Sequence, residues 1–241
     1  MKKRVKFSQV FLKNTNYLRK IANALNISQN DIVVEIGGGK GELTRFLTSA
    51  KKLIIYEIDK NLVKILKEKF KNFKNVQIIN QDFLQANLSQ FKNDYKLVGN
   101  IPYEITGKIF RKVLNKQNKP KILVFTLQKE VGEKILGKDK INFWNIWINL
   151  WGKVKSLGII KRKNFYPTPK VDSIIIKIDF YNEPIIKNPE NFVNFLKIIF
   201  SSPNKKLKHK IKNLPECYQE KRIYQLSFEE IKSIYKNFYQ K

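Results

Sequence analysis

The chain has 241 residues, of which 42% are hydrophobic, enough for one sizeable domain with a smaller appendage and too many for global disorder. It carries 48 Lys and Arg residues against 20 Asp and Glu, a net charge of +28. Its apolar runs are too short to span a bilayer, and a single Cys and a single His exclude an internal disulfide and a histidine-based metal site. We therefore expect a cytoplasmic protein with no membrane partner and no metal, and we also expect it to be a monomer.

Strand and helix patterns alternate through the first half of the chain. The predicted helices are 41–50 and 61–70, and the predicted strands are 31–36, 52–56, 76–80, 96–99 and 121–127. Short connections between such elements are typical of an α/β fold with a mostly parallel sheet that is covered on both faces.

The second half of the chain departs from this alternation. Residues 154–161 and 173–180 are two strands with only a proline-containing turn between them, which indicates an antiparallel hairpin at the sheet edge. After Pro184, apolar residues recur at helical spacing in 192–200 and again in 231–238. We therefore predict a main domain at 1–182 and a small all-α domain at 183–241.

A glycine-rich turn joins the first strand to the next element. It reads Glu-Ile-Gly-Gly-Gly-Lys-Gly over residues 35–41. A P-loop would need Ser or Thr after Lys40, and a dinucleotide fingerprint would need glycine where Glu42 stands. The remaining pattern is that of S-adenosylmethionine enzymes, and we expect Gly37 and Gly39 to approach this cofactor.

Acidic residues follow the next two strands. Glu57 ends the second strand, where a carboxylate can accept both ribose hydroxyls of a nucleoside. Asp82 follows the third strand, where it can accept from the adenine amino group. The carboxyl ends of parallel strands share one edge of a sheet, so these residues and the glycine turn are predicted to form one cofactor site.

The tetrapeptide Asn100-Ile101-Pro102-Tyr103 ends the fourth strand. Amino-methyltransferases hold a planar amino group with this type of sequence. The Asn oxygen and a backbone carbonyl accept its two hydrogens, the proline shapes the turn, and the aromatic ring stacks on the base. Catalysis would then be mainly positioning, because the sulfonium is already a strong electrophile.

Four segments occur in the order and spacing of one family: residues 7–12, 35–41, 100–103 and 165–173. Over residues 3–213 the chain resembles the ribosomal RNA adenine N6-dimethyltransferases, the KsgA and Erm enzymes. The resemblance implies a Rossmann-like class I methyltransferase sheet that uses S-adenosylmethionine.

The resemblance also implies roles for individual residues. Segment 7–12 closes over the cofactor through Gln9, Val10 and Leu12, and Asn100 lies near both the cofactor and the amine. The resemblance further implies that Phe165 faces Tyr103 across the pocket for a flipped adenine. Val10 stands where the family usually has Asn or His, so a side-chain contact to the cofactor is lost.

The basic charge leaves the partner open, because only six of the basic residues are Arg and a Lys-rich composition also follows from an A/T-rich genome. With the resemblance, we expect a ribosomal RNA partner contacted by Lys205, Lys206, Lys208 and Lys210 on a basic helix near 204–212. The run Pro-Lys-Val-Asp-Ser at 169–173 favours the branch that methylates two adjacent adenosines in the 3′-terminal hairpin of small-subunit rRNA during ribosome biogenesis.

Three alternatives remain at this point. Ile101 in the tetrapeptide leans toward an Erm-type enzyme acting on 23S rRNA. A protein-glutamine or DNA amino-methyltransferase would share the glycine and Asn-Ile-Pro-Tyr motifs, but it would not need the 165–173 segment. A non-catalytic ribosome assembly factor is suggested only by Val10.

Overall fold

The computed structural model describes residues 10–138 and 140–239. Contacts divide them into two compact units. The first unit takes the described residues up to Gly132 together with Lys155–Phe180, and the second takes Glu133–Val154 with the described residues from Tyr181 onward. The functional boundary after residue 182 stays a prediction.

The strands are β1 (Phe11–Leu12), β2 (Ile32–Ile36), β3 (Lys52–Glu57), β4 (Val76–Asn80), β5 (Lys96–Asn100), β6 (Ile122–Gln128), β7 (Gly152–Ile160), β8 (Phe165–Tyr166) and β9 (Ser173–Phe180). The α-helices are α1 (Thr15–Ala24), α2 (Lys60–Lys69), α3 (Thr106–Val113), α4 (Lys129–Leu136), α5 (Phe143–Asn149), α6 (Pro189–Phe200), α7 (Glu216–Gln219) and α8 (Phe228–Ile234). No helix in the described ranges is long and apolar enough to cross a membrane.

Seven strands form one sheet in the order β4-β3-β2-β5-β6-β9-β7. The first five are mutually parallel, and β9 runs antiparallel to β6. Consecutive residues such as Val33 and Val34 are both fully buried, and because neighbours on a strand point to opposite faces, both faces of the sheet are covered. The predicted parallel sheet and the strand pair at its edge are confirmed.

The chain leaves β2 toward β3 and β4, and later returns to the other side of β2 with β5 and β6. The strand order therefore reverses between β2 and β5. In open α/β sheets this switch point opens a crevice at the carboxyl ends of the strands, where ligands bind.

The predicted helix over 41–50 is wrong. That segment holds only the 3₁₀ turn Thr44–Phe46, with backbone bonds from Phe46 to Leu43 and from Leu47 to Thr44, and the α-type bond from Arg45 to Gly41 at 3.3 Å is not continued into a helix. The Thr44 hydroxyl donates to Glu35 on β2 at 2.7 Å. This side-chain bond ties the segment to the strand end, and helix periodicity does not reveal it.

The second unit has an aromatic core on α6. Phe192 and Phe195 lie 4.8 Å and 5.4 Å, between ring centroids, from Tyr235. Tyr235 opens the π-helical turn Tyr235–Tyr239 that follows α8. The helical spacing predicted for 192–200 is confirmed, whereas 204–212 carries only the 3₁₀ turn Leu207–His209 and not the predicted basic helix.

Candidate functional site

The glycine turn after β2 is one wall of a cleft in the first unit. Gly37 and Gly39 have φ of 71° and 57°, a left-handed conformation that glycine adopts without steric penalty. A Cβ on Gly39 would lie 3.1 Å from a ring carbon of Phe11. The turn thus needs glycine both for its backbone conformation and for the close approach of Phe11.

Glu57 braces this turn from the end of β3. Its Oε2 accepts from the Gly39 backbone N–H at 3.0 Å, and its Oε1 accepts from the Asp59 N–H at 2.9 Å. The side chain is buried but lines the cleft. Each carboxylate oxygen retains a further lone pair, so Glu57 can still accept from ligand hydroxyls.

Asp82 lines the same cleft two residues after the end of β4. Its Oδ1 accepts from the Leu84 N–H at 2.9 Å and caps the 3₁₀ turn Phe83–Gln85. This bond fixes the orientation of a half-buried carboxylate whose second oxygen remains available as an acceptor.

Asn100, at the end of β5, has a fixed amide orientation. Its Nδ2 donates to the Val10 carbonyl at 2.8 Å, so Oδ1 remains an acceptor on a residue that lines the cleft. The following turn is anchored by the Ile101 N–H, which donates to the Thr126 carbonyl at 3.0 Å. The Val10 side chain is predicted to make no contact with the cofactor. The residue instead contributes its backbone carbonyl, which orients Asn100. Gln9 and the side chain of Tyr103 lie outside the described residues.

A two-stranded ladder brings a distant aromatic residue to the cleft. β1 pairs antiparallel with β8, with Phe11 opposite Tyr166 and Leu12 opposite Phe165. Leu12 and Phe165 are both buried and both line the cleft. The ladder thus joins the N-terminal segment to the segment that supplies the predicted second aromatic wall.

The predicted cofactor and base-pocket residues that the structure describes meet in this one cleft. Of the predicted residues, it is lined by Val10, Leu12, Gly37, Gly39, Glu57, Asp82, Asn100, Ile101, Pro102 and Phe165. The described part of the chain contains no cluster of three or more His, Cys, Asp or Glu side chains that could hold a metal ion.

Glu35 is a site residue to which sequence reasoning assigned no role. Its carboxyl is 1% exposed at the end of β2 and lines the cleft beneath the glycine turn. Burial, reinforced by the negative charges of Glu57 and Glu42 and opposed by the Thr44 hydroxyl, raises the pKa of Glu35 to about 8. The glycine motif contains this residue, but its burial follows from the packing around β2.

The predicted RNA-binding lysines lie in the second unit, around the 3₁₀ turn Leu207–His209. Lys206 and Lys208 both bond to the carboxylate of Glu220. Lys210 donates to the Ile199 carbonyl, and burial together with the nearby Lys205 lowers the pKa of its ammonium. Glu220 thus offsets part of the positive charge of this group.

The model of the ribosomal RNA adenine dimethylase family matches residues 1–233 of this chain. The chain belongs to this family. The dimethylase is 36% identical over 239 residues to "Ribosomal RNA small subunit methyltransferase A" of Hydrogenobaculum sp., which covers 98% of this chain and 93% of that protein. The resemblance seen in the motifs is confirmed, and the dimethylase is an enzyme of the methyltransferase class.

Two solved structures match the dimethylase over nearly its whole length. A dimethyladenosine transferase from Plasmodium falciparum is 28% identical, with a TM-score of 0.80 over 93% of this chain and 95% of that chain. The 23S rRNA methyltransferase ErmE matches with a TM-score of 0.82 over 95% and 100% of the two chains at 24% identity, which shows a shared fold. The predicted fold class is confirmed.

Glu35 makes the stability of the ligand-free dimethylase depend on pH. Between its usual pKa of 4.5 and about 8, the folded protein binds the Glu35 proton while the unfolded chain releases it. The contribution of Glu35 to the free energy of unfolding therefore falls as pH rises through this window. Urea denaturation from about pH 5 to about pH 8 should show that the free energy of unfolding falls less steeply with pH in Glu35→Gln than in wild type. Glu68→Gln, at an exposed carboxylate on α2, is the control, and equal slopes for Glu35→Gln and wild type would contradict the assignment.

Proposed function

We propose that this dimethylase transfers methyl groups from S-adenosylmethionine to N6 of two adjacent adenosines in the 3′-terminal hairpin of small-subunit rRNA, during ribosome biogenesis. The observation that carries the proposal is the fixed amide of Asn100, whose Nδ2 is held by the Val10 carbonyl so that Oδ1 can accept from an amino group. The name of the Hydrogenobaculum relative, which is similar over almost the whole chain, supports the small subunit as the source of the substrate.

The charges of the cleft support S-adenosylmethionine over a dinucleotide. Carboxylic acids line it at Glu42, Glu57 and Asp82, in addition to Glu35, whose raised pKa favours its uncharged form, and no Lys or Arg of the described residues does. Such a lining repels a pyrophosphate and favours a ligand with a sulfonium and an ammonium group. In this proposal Glu57 accepts from the ribose and Asp82 from the adenine amino group. Gly37, Gly39, Val10, Leu12 and Gln9 enclose the rest of the cofactor.

The residues of the cleft also support a mechanism for methyl transfer. Asn100 Oδ1 and the Ile101 carbonyl accept the two N6 hydrogens of the target adenine, Pro102 shapes the turn, and Tyr103 and Phe165 enclose the ring. Accepting both hydrogens localises the nitrogen lone pair toward the methyl group. The bound cofactor supplies an electrophilic methyl, and the chain supplies position.

Glu57→Ala is expected to weaken S-adenosylmethionine binding by roughly 1–3 kcal/mol, because charge-assisted hydrogen bonds to ribose are lost and the brace on Gly39 is removed. Isothermal calorimetry measures the change. Glu68→Ala, an exposed carboxylate on α2 that pairs with Lys71, is the control and should leave affinity unchanged. Unchanged affinity in Glu57→Ala would remove this residue from the site. Wild-type protein that binds no cofactor would favour a non-catalytic assembly factor.

The substrate is tested by mapping N6,N6-dimethyladenine after incubation with immature small subunits or with protein-free large-subunit rRNA. We expect two adjacent dimethylated adenines in the small subunit and poor transfer to the large-subunit RNA. Phosphate contacts position an RNA without selecting it, so selection depends on RNA shape around a base that flips easily. Transfer to a single adenine of protein-free 23S rRNA would establish the Erm-type alternative instead.

The domain at 183–241 is proposed to hold the RNA through Lys205, Lys206, Lys208 and Lys210. Replacing all four with Ala should lower affinity for immature small subunits and flatten its salt dependence, by about 0.7–0.9 log units per lost phosphate contact for each log unit of salt. The matched control replaces Lys60, Lys64, Lys67 and Lys71, which carry the same charge on or beside α2. Equal salt slopes for the two variants would contradict a specific role of the second unit.

A further inference from the structure

Tyr166 is an exposed aromatic residue directly beside the buried Phe165. It is 59% exposed, whereas the other exposed large apolar side chains of the described residues reach at most 47%, at Ile58. Successive residues of a strand point to opposite faces. Phe165 therefore lines the cleft while Tyr166 presents its ring to solvent at the edge of the same site.

The position of Tyr166 is set by bonds between two distant parts of the chain. Tyr166 stands opposite Phe11 in the β1–β8 ladder. Beyond the ladder, the Lys13 N–H donates to the Asn164 carbonyl at 2.9 Å, and Asn14 Nδ2 donates to Asn164 Oδ1 at 2.8 Å. The exposed ring is thus carried by a hydrogen-bonded framework next to the pocket wall.

One cation lies over this ring, and three more precede it closely in the chain. Lys13 Nζ lies 4.1 Å from the centroid of the Tyr166 ring, and the 3₁₀ turn Arg162–Asn164 immediately precedes the ladder. Lys161, Arg162 and Lys163 are all exposed. Asp172 binds the Lys161 ammonium at 3.0 Å and the Arg162 backbone N–H at 2.9 Å, and the Arg162 guanidinium donates to the Lys170 carbonyl at 3.5 Å.

An exposed ring among cations is the combination that binds single-stranded nucleic acid, because bases stack on the ring and phosphates contact the cations. We propose that Tyr166 is a stacking platform for the nucleotide next to the target adenine, with Lys13 and the turn Arg162–Asn164 contacting the adjoining phosphates. The inference rests on the proposed function, since it requires a flipped adenine beside Phe165. A flipped base leaves its neighbour without a stacking partner, and the Tyr166 ring replaces that partner.

The test compares Tyr166→Ala and Tyr166→Phe in steady-state methyl transfer to immature small subunits. Tyr166→Ala should lower kcat/KM by roughly 5- to 150-fold, mainly through a higher KM, which is the range for loss of one stacked base. Tyr166→Phe keeps the ring and should keep most of the activity. Affinity for S-adenosylmethionine should not change in either variant. The control Phe73→Ala removes another exposed aromatic ring, before β4, and should leave KM unchanged.

Salt dependence separates stacking from phosphate contact. Tyr166→Ala should leave the slope of log affinity against log salt unchanged, whereas replacing Arg162 and Lys163 with Ala should flatten it. Wild-type kcat/KM in Tyr166→Ala, or an equal loss in Tyr166→Phe, would overturn the proposal. A wild-type enzyme that fails to methylate small subunits would instead overturn the proposed function.

Discussion

Replacing Asn100 with Ala is expected to slow methyl transfer by about 100-fold or more, the loss that misplacement of a reacting group by about 1 Å produces. Alanine removes the acceptor for the amino group and also releases the Val10 carbonyl, which Asn100 Nδ2 binds at 2.8 Å. The same substitution should weaken cofactor binding, because Val10 lies in the segment proposed to close over the cofactor. Single-turnover kinetics and calorimetry measure the two effects separately.

Asn100→Asp is the matched control for these two roles. It keeps Oδ1 as an acceptor but places a second oxygen against the Val10 carbonyl, which cannot donate to it. We expect weaker cofactor binding in Asn100→Asp and a smaller loss of transfer rate than in Asn100→Ala. A wild-type transfer rate in Asn100→Ala would show that the amine is held elsewhere.

Phe165→Ala is expected to lower the transfer rate by roughly 5- to 150-fold, since stacking on an aromatic ring is worth about 1–3 kcal/mol per base. Phe165 is only 4% exposed and packs in the core cluster of the first unit. Its truncation therefore also lowers the free energy of unfolding by about 3–5 kcal/mol. Single-turnover kinetics at saturating cofactor and urea denaturation measure the two losses.

Phe165→Leu separates stacking from folding, because leucine fills much of the space but has no ring. We expect most of the stability and little of the transfer rate to remain. Phe195→Leu, a buried position in the second unit, is the control for packing alone and should leave the rate intact. Tyr103→Ala tests the proposed second wall and should behave like Phe165→Leu. A wild-type rate of methyl transfer in both Phe165→Leu and Tyr103→Ala would contradict an aromatic pocket.

The strands, and the sheet edge that carries the predicted cofactor site, could be predicted because their signals are local. β-branched runs predicted β2 and β3, and glycine at positions 37 and 39 predicted the turn between β2 and the following segment. Glu57 and Asp82 were predicted to approach this turn because parallel strands end at a common edge. In the structure Glu57 bonds to the Gly39 N–H, and Asp82 lines the same cleft.

Two helices were predicted wrongly for related reasons. Residues 41–50 and 204–212 have helix-compatible spacing, yet each holds only a short 3₁₀ turn. Thr44 is drawn to Glu35, and Lys206 and Lys208 are drawn to Glu220. These contacts hold each segment to another part of the chain, and such partners cannot be seen in local periodicity.

The sequence by itself determined the family, the α/β sheet and the residue types of the site, because motif spacing and hydrophobic period are properties of short segments. Only the tertiary structure decided how distant residues act together. Val10 orients Asn100 across 90 positions, and β1 pairs with β8 across about 150. Glu35 acquires its raised pKa from burial beneath the glycine turn. These properties depend on which groups the fold brings within hydrogen-bond distance and which it removes from water, and no local pattern encodes either.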